Sequence, residues 1–334
     1  MRRFILYMES FILVMIPFSY NFIPLNAENK IVYIPSSDSS IIIKTLQQNQ
    51  FNLSWIDKIV ISLNNYPKQG WYDINTTKDG RFNFFYRLHE LKTKDTKNIV
   101  IFAGETKEEL VDRLSNDMSL DRDKLLKSYN SLSSFKEGDI LAGRYTIASR
   151  ADENSTMGYI FWKSKKRLEK LERKYPHIFT KKRKIKDIYT IASIIQKETY
   201  HIDEMPKIAS VIYNRLNKDM KLQMDGTLNY GKYSHKAITP DRIRSDDSRY
   251  NTYKYKGLPP HPISTVSIKA LEAAINPIKS DYLYFMLNKN GKHDFVSTYK
   301  EHNKNVASFK NSKKLKQLNL NLGTININWS KVGL

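Results

Sequence analysis

Residues 188–199 read IYTIASIIQKET. Ile188, Ile191, Ala192, Ile194 and Ile195 recur at the spacing of one helix face. At ~100° per residue from Ile188 they centre near ~320°, and Glu198 falls near ~280°, inside the apolar sector, whereas Gln196 and Lys197 fall outside it. An acid on the buried side of a helix is either paired or desolvated with its pKa raised. A carboxyl that stays protonated near neutral pH is what a general acid requires. Geometry leaves two readings open, a proton donor or a structural ion pair with Arg215.

Downstream, Pro206 suits a first helical position, and Ile208, Val211, Ile212 and Leu216 continue as a second apolar stripe. The stretch Leu222 to Thr227 alternates, so an extended chain places Gln223, Asp225 and Thr227 on one side. Such a row suits sugar hydroxyls and equally suits an ordinary surface strand. Asn251-Thr252-Tyr253 precedes a stiff loop, Gly257-Leu258-Pro259-Pro260-His261-Pro262, which leads into a helix capped by Ser264 or Thr265 and ending at Asn276-Pro277. Tyr282–Leu287 and His293–Ser297 flank an Asn290-Gly291 step, the signature of a hairpin. Thr298 with Glu301 forms a capping box for a short terminal helix carrying His302 and Asn303.

Upstream, a two-stranded unit is expected from Trp71–Ile74 and Arg81–Tyr86 around Asp79-Gly80, followed by a helix over Lys107–Leu114 and an extended piece at Gly143–Ile147. No long internal repeat is visible. Residues 163–186 hold twelve Lys/Arg against Glu169 and Glu172, with Leu168, Leu171 and Tyr175 at helical spacing. This reads as a basic helical connector, either solvated or facing an anionic membrane or acidic wall polymer. It lacks the interleaved aromatics of a nucleic-acid platform.

Met1-Arg2-Arg3 precedes an almost wholly apolar run from Phe4 to Leu25, about the ~20 residues that cross a bilayer, with Arg2 and Arg3 on the inner side. The reading is a single-pass anchor, with a cleaved signal ending near Ala27 as the alternative. In both cases the rest of the chain is extracytoplasmic. The 334 residues, 40% hydrophobic and 12% aromatic, suffice for real cores and exclude wholesale disorder. Lys and Arg number 55 against 34 acids, a net +21 that favours acidic polymers or anionic lipid. Without cysteine, disulfides, thiol nucleophiles and Cys-ligated metals are excluded, and none of the seven histidines forms an HExxH pair.

These stretches together resemble the endolytic murein transglycosylases of the YceG type, membrane-anchored proteins that cut peptidoglycan glycan strands. The resemblance runs through ASIIQKET (192–199), KIASVIYNRL (207–216), LQMDGTLNYG (222–231), YNTYKYKGLPPHPI (250–263), Asn276-Pro277, YLYF (282–285) and HDFVSTYKEHN (293–303). It extends more loosely to PKQGWYDI (67–74) and EGDILAGRYTI (137–147), where such proteins carry a LysM-like accessory region. The resemblance implies Glu198 as the catalytic acid, with Gln196 where many relatives have a second Glu. It places Gln223, Asp225, Thr227, Asn251, Tyr253 and Gly257, Leu258, Pro259 and Pro260 along a glycan cleft, supported by His293, Glu301, His302 and Asn303. Gly226 stands where relatives usually have Pro or Ala, and His261 where they have Gly.

The resulting expectation is an α+β protein: anchor at 1–27, LysM-like region at 28–150, basic connector at 151–186, catalytic domain at 187–312 and polar tail at 313–334. The expected substrate is nascent peptidoglycan at the cytoplasmic membrane, cut to 1,6-anhydroMurNAc ends with no metal or cofactor. Peptidoglycan synthases are the implied partners, and nucleic acid is not. Two alternatives accompany it, a muramidase using Glu198 with Asp225 and a non-catalytic wall-binding adaptor.

Overall fold

The computed structural model describes residues 2–25, 30–63, 66–74, 80–180 and 182–323. The expected cleavage point at Ala27, the turn residue Asp79 and the last eleven residues of the polar tail lie outside them. The chain is a mixed α+β protein that divides into two compact units. Unit 1 comprises residues 1–101, 110–132 and 144–163, and unit 2 comprises residues 102–109, 133–143 and 164–334.

The elements of the first half are α1 (Arg2–Asn21), β1 (Lys30–Ile34), α2 (Ser39–Gln48), α3 (Trp55–Leu63), β2 (Gly70–Ile74), α4 (Arg81–Arg87), β3 (Thr96–Ile101), α5 (Lys107–Met118), α6 (Arg122–Leu132) and β4 (Gly143–Ala148). The order strand, helix, helix, strand thus occurs twice, each time closing a two-stranded sheet, β1 with β2 and β3 with β4. That repeat is of architecture only, which is why no sequence period reveals it. The expected helix at Lys107 and strand at Gly143 are present. The hairpin expected around Gly80 is not: β2 pairs antiparallel with β1, Trp71 opposite Tyr33, and Arg81–Arg87 is helical. Arg81, Phe84 and Phe85 are buried on one face of α4, so tertiary burial overrides the strand preference of the aromatic run.

Unit 1 holds an ion pair in its interior. Asp57 on α3 is fully buried and Arg81 is 3% exposed. Arg81 Nε donates to Asp57 Oδ1 at 2.6 Å and Nη2 to Oδ2 at 2.8 Å, while Nη1 donates to the Pro24 carbonyl at 3.0 Å. The Tyr20 hydroxyl of α1 donates to the same carboxylate at 2.7 Å. Burial alone would raise the Asp57 pKa, but the guanidinium and the Ser54 N–H hold it below the usual carboxylate range. The end of α1 is thereby tied to α3 and α4. Among the described residues no helix is long and apolar enough to cross a membrane.

The second half runs α7 (Glu153–Lys174), α8 (Pro176–Phe179), α9 (Lys182–Glu198), α10 (Met205–Asn217), α11 (Asp225–Leu228), α12 (Pro240–Ser245), α13 (Ile268–Ile275), β5 (Tyr284–Leu287), β6 (His293–Val296) and α14 (Tyr299–Gly323). The core of unit 2 forms around α9, with Ile191, Ile194 and Ile195 packed among Ile208, Val211 and Ile212 of α10 and Ala270, Leu271 and Ala274 of α13. Each fully buried isoleucine contributes on the order of 1.5–3 kcal/mol. Leu168 and Leu171 of the basic stretch join this core, and Lys174 pairs with Glu272 at 2.7 Å, so the connector is packed on its apolar side.

The Asn-Gly hairpin is formed by β5 and β6, with Leu287 opposite His293. The capping box is present too: Glu301 N donates to Thr298 Oγ1 and Thr298 N to Glu301 Oε2, both at 3.2 Å. The helix it opens is far longer than the short one expected. The cap of α13 is Ser267, whose hydroxyl accepts from Ala270 N at 3.1 Å. Ser264 and Thr265, the expected caps, are buried, and Thr265 donates through its hydroxyl to the Phe102 carbonyl at 2.6 Å.

Truncating Arg81 to Ala strands a buried carboxylate, and unit 1 should lose about 3–5 kcal/mol. Urea unfolding followed by near-ultraviolet circular dichroism measures this. A loss below about 1 kcal/mol would mean the pair is solvated.

Candidate active site

Glu198 is the last residue of α9, and its position follows from the apolar stripe that sinks this helix into the core. Two further bonds fix the helix end. Ser193 Oγ accepts from Ile263 N at 3.0 Å, and Gln196 Oε1 accepts from Ser267 N at 3.3 Å. The carboxyl of Glu198 accepts one hydrogen bond, from Gly226 N of α11, at 3.0 Å. Burial pushes its pKa up to about 7, and the nearby Asp225 carboxylate pushes the same way, against the pull of the Gly226 N–H. The carbonyl end of α9 adds partial negative charge of the same sense.

The ion-pair reading with Arg215 is not what the structure contains. Arg215 Nε donates to the Leu283 carbonyl at 2.7 Å and Nη1 to the Leu222 carbonyl at 2.5 Å, with the guanidinium 5.2 Å from the centre of the Tyr284 ring. Its charge is spent on backbone oxygens. Glu198 is therefore a desolvated acid in a wall rather than half of an ion pair.

Two cavities within unit 2 share Glu198 and Asp225. One of about 280 Å³ is also lined by Arg215, Gln223, Tyr253, Phe285 and His293. The other, of about 520 Å³, is lined by residues 102–105, Gln196, Lys197, Gly226, Asn229 and His235. Glu198 and Asp225 thus stand in the lining of both spaces.

Of the residues singled out from sequence, Gln223, Asp225, Tyr253 and His293 are brought together with Glu198. The alternating row does not exist as a strand: Asp225–Leu228 is a single helical turn and Gln223 has φ 50°. Thr227 consequently points inward, fully buried, donating to the Met224 carbonyl at 2.7 Å and meeting Thr252 Oγ1 at 2.9 Å. Asn251 is buried as well, donating to the carbonyls of Ile243 and Asp246 at 2.9 and 2.7 Å and accepting from Tyr253 N at 3.1 Å. It thus sets the backbone from which Tyr253 reaches Asp225, whose Oδ1 accepts the phenol proton at 2.5 Å. Burial and the adjacent Asp225 raise the Tyr253 pKa and keep it a donor.

The Gly257-Leu258-Pro259-Pro260 loop lines neither cavity; Pro259 is buried and Leu258 packs on the core. Glu301 is committed to its cap, His302 stacks on Tyr284 at 5.3 Å, and Asn303 is exposed on α14. At the proline loop, burial and the charges of Lys186 and Lys136 lower the His261 pKa.

Three groups escaped the sequence reading. Glu204, 2% exposed, accepts from His293 Nδ1 and His293 N, both at 2.8 Å, and from Thr199 Oγ1 at 2.9 Å, which orients the imidazole in the cavity wall. These partners lie 89 residues apart, beyond any spacing rule. Lys197 lines the larger cavity, its pKa lowered by burial against the opposing pull of Glu109 and Glu137. Glu109 is held below the usual carboxylate range: burial works against this, but the Thr106 N–H and the Ser234, His235 and Lys197 side chains outweigh it.

Fold and cleft together define an α+β protein organised around one desolvated carboxyl between two polar cavities. The chain belongs to the YceG-like family, which it matches over residues 32–308. It is similar to the endolytic murein transglycosylase of Bacillus subtilis strain 168, 44% identical over 126 residues, covering 38% of this chain and 35% of that protein. The endolytic murein transglycosylase of Streptococcus pneumoniae strain D39 is 38% identical over 145 residues, 42% of this chain and 26% of that protein. The matches thus span about a third and a quarter of these relatives' lengths. A crystal structure of a YceG-like protein from Listeria monocytogenes, 29% identical, superposes with a TM-score of 0.55 over 83% of this chain and 98% of that one.

Gly226 explains its own presence. A Cβ there would lie 2.7 Å from Lys197 Cβ and 3.2 Å from Glu198 Oε1. Gly226→Ala puts a Cβ against Lys197 Cβ and Glu198 Oε1 and so pushes α11 away from the one N–H contact that stabilises the carboxylate; the Glu198 pKa should rise above about 7. Titration of a ¹³C-labelled side-chain carboxyl reads the shift; an unchanged value would show that this hydrogen bond is not made in solution.

Proposed function

We propose that the protein is an endolytic lytic transglycosylase acting on peptidoglycan glycan strands, with Glu198 as general acid and then general base. The observation that carries this is a single carboxyl with its pKa pushed up to about 7, lacking a neutralising cation, at the junction of two cavities. The relatives named endolytic murein transglycosylase supply the substrate class.

In this reading Glu198 donates its proton to the glycosidic oxygen between MurNAc and GlcNAc, and the C1–O bond breaks. The carboxylate left behind accepts the proton of the MurNAc C6 hydroxyl as O6 bonds to C1. Glu198 is then protonated again, the new end is 1,6-anhydroMurNAc, and no water is consumed. The attacking hydroxyl belongs to the same ring, so the step has the effective concentration of an intramolecular nucleophile. One carboxyl suffices where a hydrolase normally uses two. To Gln223, Tyr253 and His293, which line the smaller cavity, this reading assigns the binding of hydroxyl and acetamido groups, and to Asp225 the stabilising of charge growing at C1.

The muramidase alternative rests on Asp225, which lines both cavities with Glu198. Its Oδ1 already accepts from Tyr253, which fits a positioned electrostatic group better than a free nucleophile. From the apolar run Phe4 to Leu25 we infer that the chain is held at the cytoplasmic membrane with its remainder on the extracytoplasmic side, and that peptidoglycan synthases acting on the same strands are its partners.

Glu198→Gln should lower strand cleavage by at least about 10²-fold. Mass spectrometry of sacculi digested by the unaltered chain should find anhydro ends; reducing ends instead would establish the hydrolytic route. The acid form is the starting form, so cleavage should be full below pH 6 and fall as pH rises through about 7. A rate still rising between pH 7 and 9 would exclude Glu198 as the donor.

A further inference from the structure

Helix α3 carries apolar side chains on two faces. At ~100° per residue from Trp55, the buried Asp57, Val60 and Ile61 fall between ~140° and ~240°, while Trp55, Ile59, Leu63 and Ile56 fall within the first ~100°. Among the described residues nothing covers this second arc: Trp55 is 73% and Leu63 80% exposed. Phe82 and Tyr86, one turn apart on the neighbouring α4, are exposed as well. A helix apolar on both faces is ordinarily buried on both, and exposed apolar side chains gathered on adjacent helices mark a contact surface.

This surface begins where the apolar run Phe4 to Leu25 ends. The Tyr20 hydroxyl donates to Asp57 of α3 at 2.7 Å, and Asn21 Oδ1 accepts from Phe82 N of α4 at 3.0 Å. The Leu25 carbonyl accepts from Asn52 N at 3.1 Å, three residues before Trp55. Both helices therefore start beside the end of that run, on which Phe11, Leu13, Val14 and Ile16 are themselves exposed.

The charges select the occupant. Asp57 is the only acid in α3 and α4, and it is buried against Arg81, so neither helix presents a carboxylate to an anionic headgroup. Lys58, exposed at ~300° on the edge of the arc, would attract one. Trp and Tyr rings beside Ile and Leu are the composition of a helix lying in the interface of a bilayer, where the rings sit at headgroup level and the aliphatic groups reach the acyl chains.

We propose that the outer face of α3, with Phe82 and Tyr86 of α4, docks on the surface of an anionic bilayer and lays unit 1 along the membrane. The proposal rests on the reading that the chain is held at the membrane and adds a second contact to it; it is independent of the role of Glu198. With this contact made, unit 1 is seated on the lipid rather than tethered above it.

The chain has no cysteine, so a single introduced one carries the only label. The full chain bearing Leu63→Cys with a nitroxide is reconstituted into vesicles of phosphatidylethanolamine containing roughly one part in four phosphatidylglycerol. Collision of the label with oxygen is then compared with collision with a water-soluble nickel chelate. The oxygen-to-nickel ratio at residue 63 should exceed that of a label at the exposed Lys127 of α6 at least about fivefold. Leu63 lies two turns beyond Trp55, so only a helix lying along the surface brings both into lipid. Trp55 reports without a label: lipid brominated next to the headgroup should quench its emission, and Trp55→Phe should remove that quenching. A ratio at residue 63 equal to that at residue 127, or an unquenched Trp55, overturns the proposal. So does dipolar broadening between labels at residue 63, which would put a second copy of the chain on this face. A label at Leu13 of α1 tests the membrane reading by itself, so lipid at residue 13 with water at residue 63 removes the docking surface alone.

Discussion

The site depends on one contact, the Gly226 N–H on the carboxyl of Glu198. It joins the end of the helix around which the core of unit 2 forms to a one-turn helix that also carries Asp225. A single N–H is enough to orient the carboxyl and too little to ionise it. With two or three such donors the pKa would fall well below neutrality. The close approach that permits this contact leaves no room for a side chain at residue 226, so the local backbone and the proton affinity are consequences of the same packing.

How much of this could be read from residues alone follows the range of each interaction. The apolar face of residues 188–198, the second helix from Pro206, the Asn-Gly hairpin and the Thr298/Glu301 cap are all set within about one or two helical turns, and each is present. Glu198 was legible for the same reason: its depth is decided by the helix it ends. The row Gln223, Asp225, Thr227 misled because alternation over six residues also fits a loop followed by one turn of helix, and Gln223 at positive φ breaks the period. The hairpin at Gly80 misled because β2 takes its partner from β1, forty residues earlier in register. The Glu204–His293 pair and the repeated strand–helix–helix–strand order are properties of the folded chain with no local signature.

Asp57 and Glu198 are buried carboxyls handled in opposite ways. In unit 1, Asp57 and Arg81 are matched oxygen for nitrogen and the remaining guanidinium donors go to carbonyls, an arrangement that specifies where the end of α1 docks. In unit 2, Glu198 is left without a counterion. The first pattern favours one conformation, and the second holds a proton ready to leave.

A chain with twenty-one excess positive charges should tend to put a cation on any exposed carboxylate, and a cation on Glu198 would depress its pKa and end its use as an acid. Two cations are near. Arg215 is occupied by the carbonyls of Leu283 and Leu222, whose positions are set by the β5 approach and the residue 221–223 turn. Lys197, the neighbour in sequence, leaves the helix on the other side, with its Nζ 3.4 Å from Ser234 Oγ and in the field of Glu109 and Glu137. Those groups draw the charge away from the acid while leaving it in the wall of the larger cavity. The arrangement explains why acids that never touch the cleft's central carboxyl matter to it. Removing Glu109 would free Lys197 to turn toward Glu198, and the proton affinity at the centre would change without any alteration of the carboxyl itself.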